Sequence, residues 1–332
     1  MTPNELERLL DNKTKPKHSL GRLEDLAVQV GAVINMTNPV DLSASLTIFA
    51  GDHGIAVEGV SAFPQAVTGQ MVANFLAGGA AANAIARQFE VPVSVVDCGV
   101  AVPLSRQNGL IEMRLGAGTS NSAAEPAMSL ELAQRAIEQG RSYGAELASD
   151  IACFGEMGIA NTSSATLLAH KLSGIPVIDL VGRGTGVDDT GLDHKKLVLQ
   201  RAAERTGNLD AMEALSEVGG FEIGTMAGAM IGAAASGRVV VVDGFIATAA
   251  SAIARALAPE CKVSMVYAHR SAEQGHTALL EWLSAKPLFD LEMRLGEGTG
   301  ALLAVPLIRA SLSLFGMASF AEAGVSESSE NA

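Results

Sequence analysis

A carboxylate set between two glycines is the sharpest chemical signal in the sequence: Glu292-Met293-Arg294-Leu295-Gly296-Glu297-Gly298-Thr299-Gly300. Glycine on either side lets the backbone bend towards a ligand and gives the acid little side-chain cover of its own. Glu297 is therefore a candidate general base. An internal control stands upstream, where Glu112-Met113-Arg114-Leu115-Gly116-Ala117-Gly118-Thr119 repeats the pattern with alanine in place of the acid. If loop shape alone mattered, either residue would serve. The competing reading is a glycine-rich turn from strand to helix with no ligand.

Two further stretches have the composition of anion sites. Gly155-Glu156-Met157-Gly158-Ile159-Ala160-Asn161-Thr162-Ser163-Ser164 passes from glycines into Asn, Thr and Ser at the start of an Ala/Leu helix. Such a turn exposes backbone N–H groups and hydroxyls, for which phosphate is a natural guest; ordinary N-capping is the alternative. Gly182-Arg183-Gly184-Thr185-Gly186 is a second glycine loop, but Asp188-Asp189 follows it and GxGxxG is missing, so it is not a dinucleotide fingerprint. Nor do these acids make a phosphoribosyl-pyrophosphate loop, since they follow glycines rather than a buried strand, while Asp243 lacks a second acid. Lys195 either reaches a phosphate as a point charge or is solvated. Phe63, beside Pro64, either walls an aromatic pocket or staples its loop onto the next helix.

The six histidines, His18, His53, His170, His194, His269 and His276, show no HxH or HExxH spacing, so no catalytic metal is expected. Cys98, Cys153 and Cys261 make no CxxC pair, which argues against a disulfide framework and for a reducing cytoplasm. No GxSxG elbow is present. What remains, paired glycine loops and an isolated Glu, suits group transfer on a phosphorylated small molecule.

The elements that must position these groups read as apolar runs at 46–50, 91–96, 151–154, 177–181, 239–242 and 263–267, each ending in Gly with an acid or hydroxyl. Helices are expected between most of them: through 73–87, over 126–149, and from 288 through 320, with Lys195 just ahead of a helix and a disordered polar tail over 324–332. The pattern predicts an α/β fold with a doubly wound parallel sheet and the site along one edge. Domain boundaries follow: an α/β domain over 41–287 and a small helical domain built from both chain ends, 1–40 plus 288–332. The 332 residues are 48% hydrophobic, 18% charged and only 4% aromatic, so the core must be built from aliphatic side chains with close Gly and Ala contacts. A net charge of -13 excludes a nucleic-acid partner held by its phosphates. Residues 1–10 lack an apolar signal region, and 225–258 is broken by Arg238, Asp243 and glycines, so a soluble protein without membrane partner is expected.

Taken together and in order, KPKHSLGRLE, GDHGI, SAFPQAVTGQMV, GEMGIANT, VGRGTG with Lys195, VGGFEIGTMAG, VDGF, HRSAEQGH and RLGEGTGA resemble the nicotinate-nucleotide:dimethylbenzimidazole phosphoribosyltransferases of cobalamin synthesis, over nearly the whole chain. The resemblance implies a Rossmann-like sheet with a small helical domain, a homodimer, neither metal nor other cofactor, and a carboxylate base at Glu297. The implied reaction moves 5-phosphoribosyl from nicotinate mononucleotide to 5,6-dimethylbenzimidazole, releasing nicotinate. The same transfer to another benzimidazole, a purine or a phenol is the alternative. A nicotinamide-dinucleotide oxidoreductase, disfavoured by the missing GxGxxG, and a silent nucleotide-binding protein are the readings from other classes. By the same resemblance the phosphate sits on Gly158, Ile159, Ala160, Asn161 and Thr162 and on Gly182, Gly184, Thr185 and Gly186, with Lys195 and Ser271. Glu156 faces the ribose, Phe63, Met157 and Leu295 line the base pocket, and Gln70 joins the substrate-binding set. The chain departs from the family at Phe63, where other members place Tyr or Ser.

Overall fold

The computed structural model describes residues 1–36, 41–104, 107–184 and 186–326. Among them six strands form one sheet: β1 Ala44–Gly51, β2 Val93–Gly99, β3 Leu110–Glu112, β4 Ile151–Met157, β5 Val239–Val242 and β6 Met265–Tyr267. Their order is β3-β2-β1-β4-β5-β6 and every pairing is parallel, the expected Rossmann-like α/β sheet. The order reverses between β1 and β4, and the crevice beyond the carboxyl ends at such a switch point is where open sheets take ligands.

Helices α1 Pro3–Asp11 and α2 Arg22–Val33 lead into β1, α3 Ala66–Leu76 and α4 Ala81–Gln88 into β2, and α5 Leu130–Glu146 into β4. Between β4 and β5 lie α6 Asn161–Ser173, α7 Val177–Leu180, α8 Asp189–Glu204, α9 Ala211–Val218 and α10 Phe221–Ala235. The chain continues through α11 Phe245–Leu257, then after β6 through α12 Gln274–Trp282, α13 Thr299–Ser313 and α14 Phe320–Ala323.

Side chains alternate across the strands and so feed two cores. Phe49, Val96, Phe154, Val240 and Val242 pack towards α5 through α12; Leu46, Ile48, Val95, Ile151, Cys153, Val239 and Val241 pack towards α1 to α4 and α13. The two chain ends meet on this second face. Lys13 Nζ donates to the Met317 carbonyl at 2.8 Å, Thr14 N to Ala318 O at 3.1 Å, and the apolar α13 lies on α2, α4 and the sheet. The stretch Thr299–Gly316 is apolar enough to pass as a membrane span, but that character serves the core here.

Several element expectations are corrected. The run at 177–181 is helical: Pro176 precedes it, and only Val177 and Leu180 of α7 are buried, three residues apart. The sixth strand is instead β3, three partly exposed residues at the sheet edge, too short to leave a periodic signal. The helix expected through 73–87 is two helices, α3 and α4, separated where Gly78 turns left-handed at φ 77°. The 126–149 helix is only Leu130–Glu146, capped by Ser129. Between 288 and 298 there is no helix, because the glycines of the GEG turn delay α13 to Thr299. Lys195 lies inside α8 rather than before a helix. Of the polar tail, 327–332 fall outside the described residues.

The scarcity of aromatics has a structural counterpart where α5 crosses α10. A Cβ on Gly140 would meet Thr225 O at 1.9 Å, one on Gly144 Ala229 O at 2.1 Å, one on Gly228 Ile137 O at 2.1 Å and one on Gly232 Arg141 O at 2.0 Å. Two helix backbones touch through reciprocal glycines. In an ordinary helix interior Gly→Ala gains ~1 kcal/mol of propensity, but a carbonyl of a packed helix cannot retreat, and overpacking of this kind costs ~1–3 kcal/mol. Gly228→Ala is therefore expected to lower the midpoint of urea or thermal unfolding, whereas Gly207→Ala, where a Cβ meets nothing within 4 Å, leaves it unchanged or slightly raised.

Candidate active site

Glu297 occupies a turn with no ordinary residue conformation in it. Gly296, Glu297 and Gly298 have φ of 83°, 62° and 80°, and a left-handed non-glycine residue costs ~1–3 kcal/mol that surrounding structure must offset. The surroundings supply it. A Cβ on Gly155 of β4 would strike the Glu297 carbonyl carbon at 2.4 Å, so the turn lies flat on the strand. Asp243, at the end of β5, accepts from Gly298 N at 3.2 Å and from Ala301 N at 2.8 Å, clamping the turn and the start of α13. The Glu297 carboxylate accepts from Ala82 N in the first turn of α4 at 3.3 Å. The sequence expectation of an acid without cover is thus corrected: its glycine neighbours give none, but β4 and α4 leave the residue 6% exposed. Burial raises its pKa, against the Ala82 N–H.

Glu156 faces the same turn from β4. A Cβ on Gly296 would meet Glu156 Oε1 at 2.1 Å, so only glycine lets the two acids come together. Glu156 accepts a very short bond from Asn161 Nδ2. Burial above all, with the Asp243 charge behind it, raises its pKa to about 8, and burial raises Asp243 to about 7 against its backbone donors. At neutral pH Glu156 is a protonated carboxyl, able to donate as well as accept.

Beyond Met157 the chain turns through Gly158, Ile159 and Ala160 into α6. Ala160, left-handed at φ 72°, caps the helix with backbone alone: no side chain caps the first turn, Asn161 N and Ser163 N donate to Gly158 O and Ala160 O, and Asn161 and Thr162 line the crevice. Thr68 of α3 locks this turn: its Oγ1 accepts from Ile159 N at 3.1 Å and donates to the buried Asp52 at 2.6 Å. Lys195 reaches up from α8, 1% exposed, and donates to Thr162 Oγ1 at 2.9 Å. Burial lowers its pKa to about 8, with Glu273 opposing. Gly184 packs on the pair, a Cβ there meeting Thr162 Oγ1 at 2.9 Å and Lys195 Nζ at 3.2 Å.

These groups open on one cavity of about 660 Å³, lined by Phe63, Val67 and Met71 on one side and by Phe245, His269, Ser271, Glu273 and Arg294 on the other. Glu156, Met157, Gly158, Ile159, Asn161, Thr162, Gly184, Leu295 and Glu297 line it as well. Phe63 and Leu295 stand half exposed at its rim. Not all expected residues arrive there. Gln70 is exposed on α3 and its neighbour Met71 takes the wall instead. Gly182 packs against Glu273, Gly186 is exposed, Ala160 serves as a cap, Lys195 sits beneath the surface, and Thr185 lies outside the described residues.

Several residues of the site and its support went unassigned in the sequence. Asp243 and Glu273 follow strands but sit in no recognisable acid pair. Val67 and Met71 continue a four-residue spacing from Phe63 that marks one helix face. His276 supports the β6 loop: its Nδ1 accepts from Ser271 N at 2.8 Å, so Nε2 carries the proton to Thr248 Oγ1, and burial lowers its pKa to about 3. The alanine copy of the motif is scaffold. Thr119 N donates to Asp52 O at 3.0 Å and Thr119 Oγ1 accepts from Gly54 N at 3.1 Å, away from the cavity. Among the described residues no group of three His, Cys, Asp or Glu side chains could hold a metal ion.

Comparison with known proteins adds to this geometry. A family model described as phosphoribosyltransferase matches residues 2–325. A relative from Cupriavidus necator named nicotinate-nucleotide–dimethylbenzimidazole phosphoribosyltransferase is 48% identical over 330 residues, spanning 98% of this chain and 95% of its own length. One of the same name from Vibrio vulnificus is 48% identical over 332 residues, spanning 97% of each. The crystal structure of CobT from Thermus thermophilus superposes with a TM-score of 0.94 at 40% identity, covering 98% of this chain and 99% of that one.

The burial of Glu156 yields a direct expectation: among ¹³C-labelled glutamate carboxyls one titrates at about 8, and that transition disappears in Glu156→Gln. Its persistence in the variant would assign the raised group elsewhere.

Proposed function

The chain belongs to the nicotinate-nucleotide–dimethylbenzimidazole phosphoribosyltransferase family, and from that premise we propose that it transfers the 5-phosphoribosyl group of nicotinate mononucleotide to 5,6-dimethylbenzimidazole, giving α-ribazole 5'-phosphate and nicotinate in cobalamin biosynthesis. The observation that carries the mechanism is the meeting of Glu297, Glu156 and the uncapped start of α6 on one cavity with apolar walls. The phosphate lies on the α6 turn, with Gly184, Thr162 and Ser271 around it and Lys195 as the charge below. The ring of the acceptor packs between Phe63, Met71, Met157 and Leu295.

Chemistry follows from placement. The pyridinium of the donor leaves without protonation, its C1'–N bond pair returning to the ring nitrogen. A lone pair on one azole nitrogen of the acceptor forms the new bond from the opposite face, turning a β-nucleotide into an α-product. The proton on the other azole nitrogen goes to the Glu297 carboxylate. Neutral Glu156 hydrogen-bonds the ribose and, being uncharged, adds no second negative charge beside Glu297. Fixed geometry and a single base share the work.

Homodimeric assembly in a reducing cytoplasm is part of the proposal. Val57 and Leu197, both 73% exposed, lie on segments joined by the Glu58–Arg201 ion pair, and each offers an apolar side chain to a partner. The three cysteines are free and buried, which suits a reducing compartment.

Incubation with nicotinate mononucleotide and a mixture of benzimidazoles, purines and phenols, read by product mass, is expected to give the dimethylbenzimidazole riboside phosphate first; a dominant purine or phenol product would transfer the assignment to that acceptor. Glu297→Gln is expected to lower kcat by ~10²–10⁴-fold with KM for the nucleotide little changed. The pH profile of kcat/KM should be a bell. On the acid side activity falls as Glu297 is protonated, above the ordinary glutamate value of 4.5 because burial raises it. On the alkaline side it falls as Glu156 ionises and Lys195 loses its proton, each at about 8, and Glu156→Gln should remove the Glu156 share of that limb while the Lys195 share remains.

A further inference from the structure

The donor nucleotide carries two anionic groups, and the crevice described so far accounts for one. The phosphate has the α6 turn, Gly184, Ser271 and Lys195. The nicotinate ring bears a carboxylate as well, and it enters a cavity whose wall already holds the acids Glu273 and Glu297 beside neutral Glu156. An anion in such company needs a cation. Among the described residues two basic side chains line the cavity, His269 and Arg294. His269 is 2% exposed, stacks on Phe289 with ring centroids 6.0 Å apart, and burial lowers its pKa, so it stays neutral. Arg294 is exposed at the mouth and makes no hydrogen bond or salt bridge among the described residues, its charge favouring the carboxylate of Glu273 on the cavity wall against burial. By contrast the Arg183 guanidinium of the glycine loop is engaged with Asp189, and Arg114, the counterpart of Arg294 in the alanine copy of the motif, pairs with Asp97 at 3.3 Å.

Resting on the transferase reading above, we infer that Arg294 is the residue that recognises the carboxylate of the departing pyridine ring and so selects nicotinate over nicotinamide nucleotides. It lines the same cavity as its neighbour Leu295, at the rim of the base pocket, and as Glu297 three residues on. A planar fork of N–H donors matches a carboxylate in two parallel bonds, which an amide cannot reproduce. The interaction also grows along the reaction. In the donor the ring is a zwitterion, pyridinium and carboxylate together. As the C1'–N bond breaks and its electron pair returns to nitrogen, the ring becomes a net anion. A guanidinium already in place therefore stabilises the departing ring more than the bound one, and such differential binding raises kcat as well as affinity.

The test compares nicotinate mononucleotide with nicotinamide mononucleotide as donors to the same acceptor, in the wild-type protein, Arg294→Gln and Arg294→Lys. Arg294→Gln is expected to lower kcat/KM for the nicotinate donor by about 10- to 100-fold, partly through kcat, while the amide donor falls far less. The lysine variant should recover part of the loss. Calorimetry with free nicotinate and free nicotinamide gives a readout independent of turnover, with nicotinate binding weakened in Arg294→Gln and nicotinamide binding not. Equal losses for both donors would place Arg294 on the phosphate or in the loop framework and overturn the inference while leaving the transferase reading intact. A wild-type protein that converts neither donor would defeat the transferase reading and this inference with it.

Discussion

Everything at the site depends on how Asp243 holds the turn at 296–298. Three consecutive residues in left-handed conformation would not persist in isolation. They persist here because a buried carboxylate gathers the backbone N–H groups of Gly298 and Ala301, and because Gly155 offers no side chain to hold the turn off β4. Glu297 then has its position set by backbone on three sides. The same clamp fixes the start of α13, the helix that ties both chain ends to the sheet, so the Glu297 turn and the second hydrophobic core are stabilised by one contact.

The cost of that arrangement is electrostatic. Glu156, Asp243 and Glu297 share a small volume in a chain of net charge -13, and burial pushes all three upward. Acids crowded in this way do not all ionise together near neutrality. Their environments differ, however. Glu156 has the Asp243 charge beside it on top of burial, while Glu297 keeps an N–H from the start of α4. In the proposed mechanism that difference separates one donor from one base, which is how two identical functional groups take two roles.

Much of this was legible in the residues and some was not. The GEG turn announced itself because glycine on both sides of an acid has few other uses, and its alanine copy proved a useful control: Gly118 and Thr119 brace the end of β1 where no acid is needed. The parallel sheet followed from apolar runs closed by glycine and polar residues. The failures share a cause. Val177–Leu180 is too short for its period to distinguish strand from helix, and β3 is too short and too exposed to show one. Asp243 looked like half of a missing pair, since its partners are backbone N–H groups that no sequence pattern displays. Lys195 was legible as a phosphate-reaching or solvated charge, but its burial comes from α8 continuing further towards the N-terminus than its charged residues suggest.

The central claim is that Glu297 accepts the proton the acceptor must lose, and the most direct test varies that proton. A series of benzimidazoles of increasing N–H acidity, run against wild type and Glu297→Gln, measures how much each protein needs a base. If Glu297 is the base, the variant's deficit should be largest for the least acidic acceptor and should shrink steadily as the N–H becomes easier to remove. A deficit of constant size across the series would mean that the glutamate shapes the pocket without taking the proton, and would contradict the account.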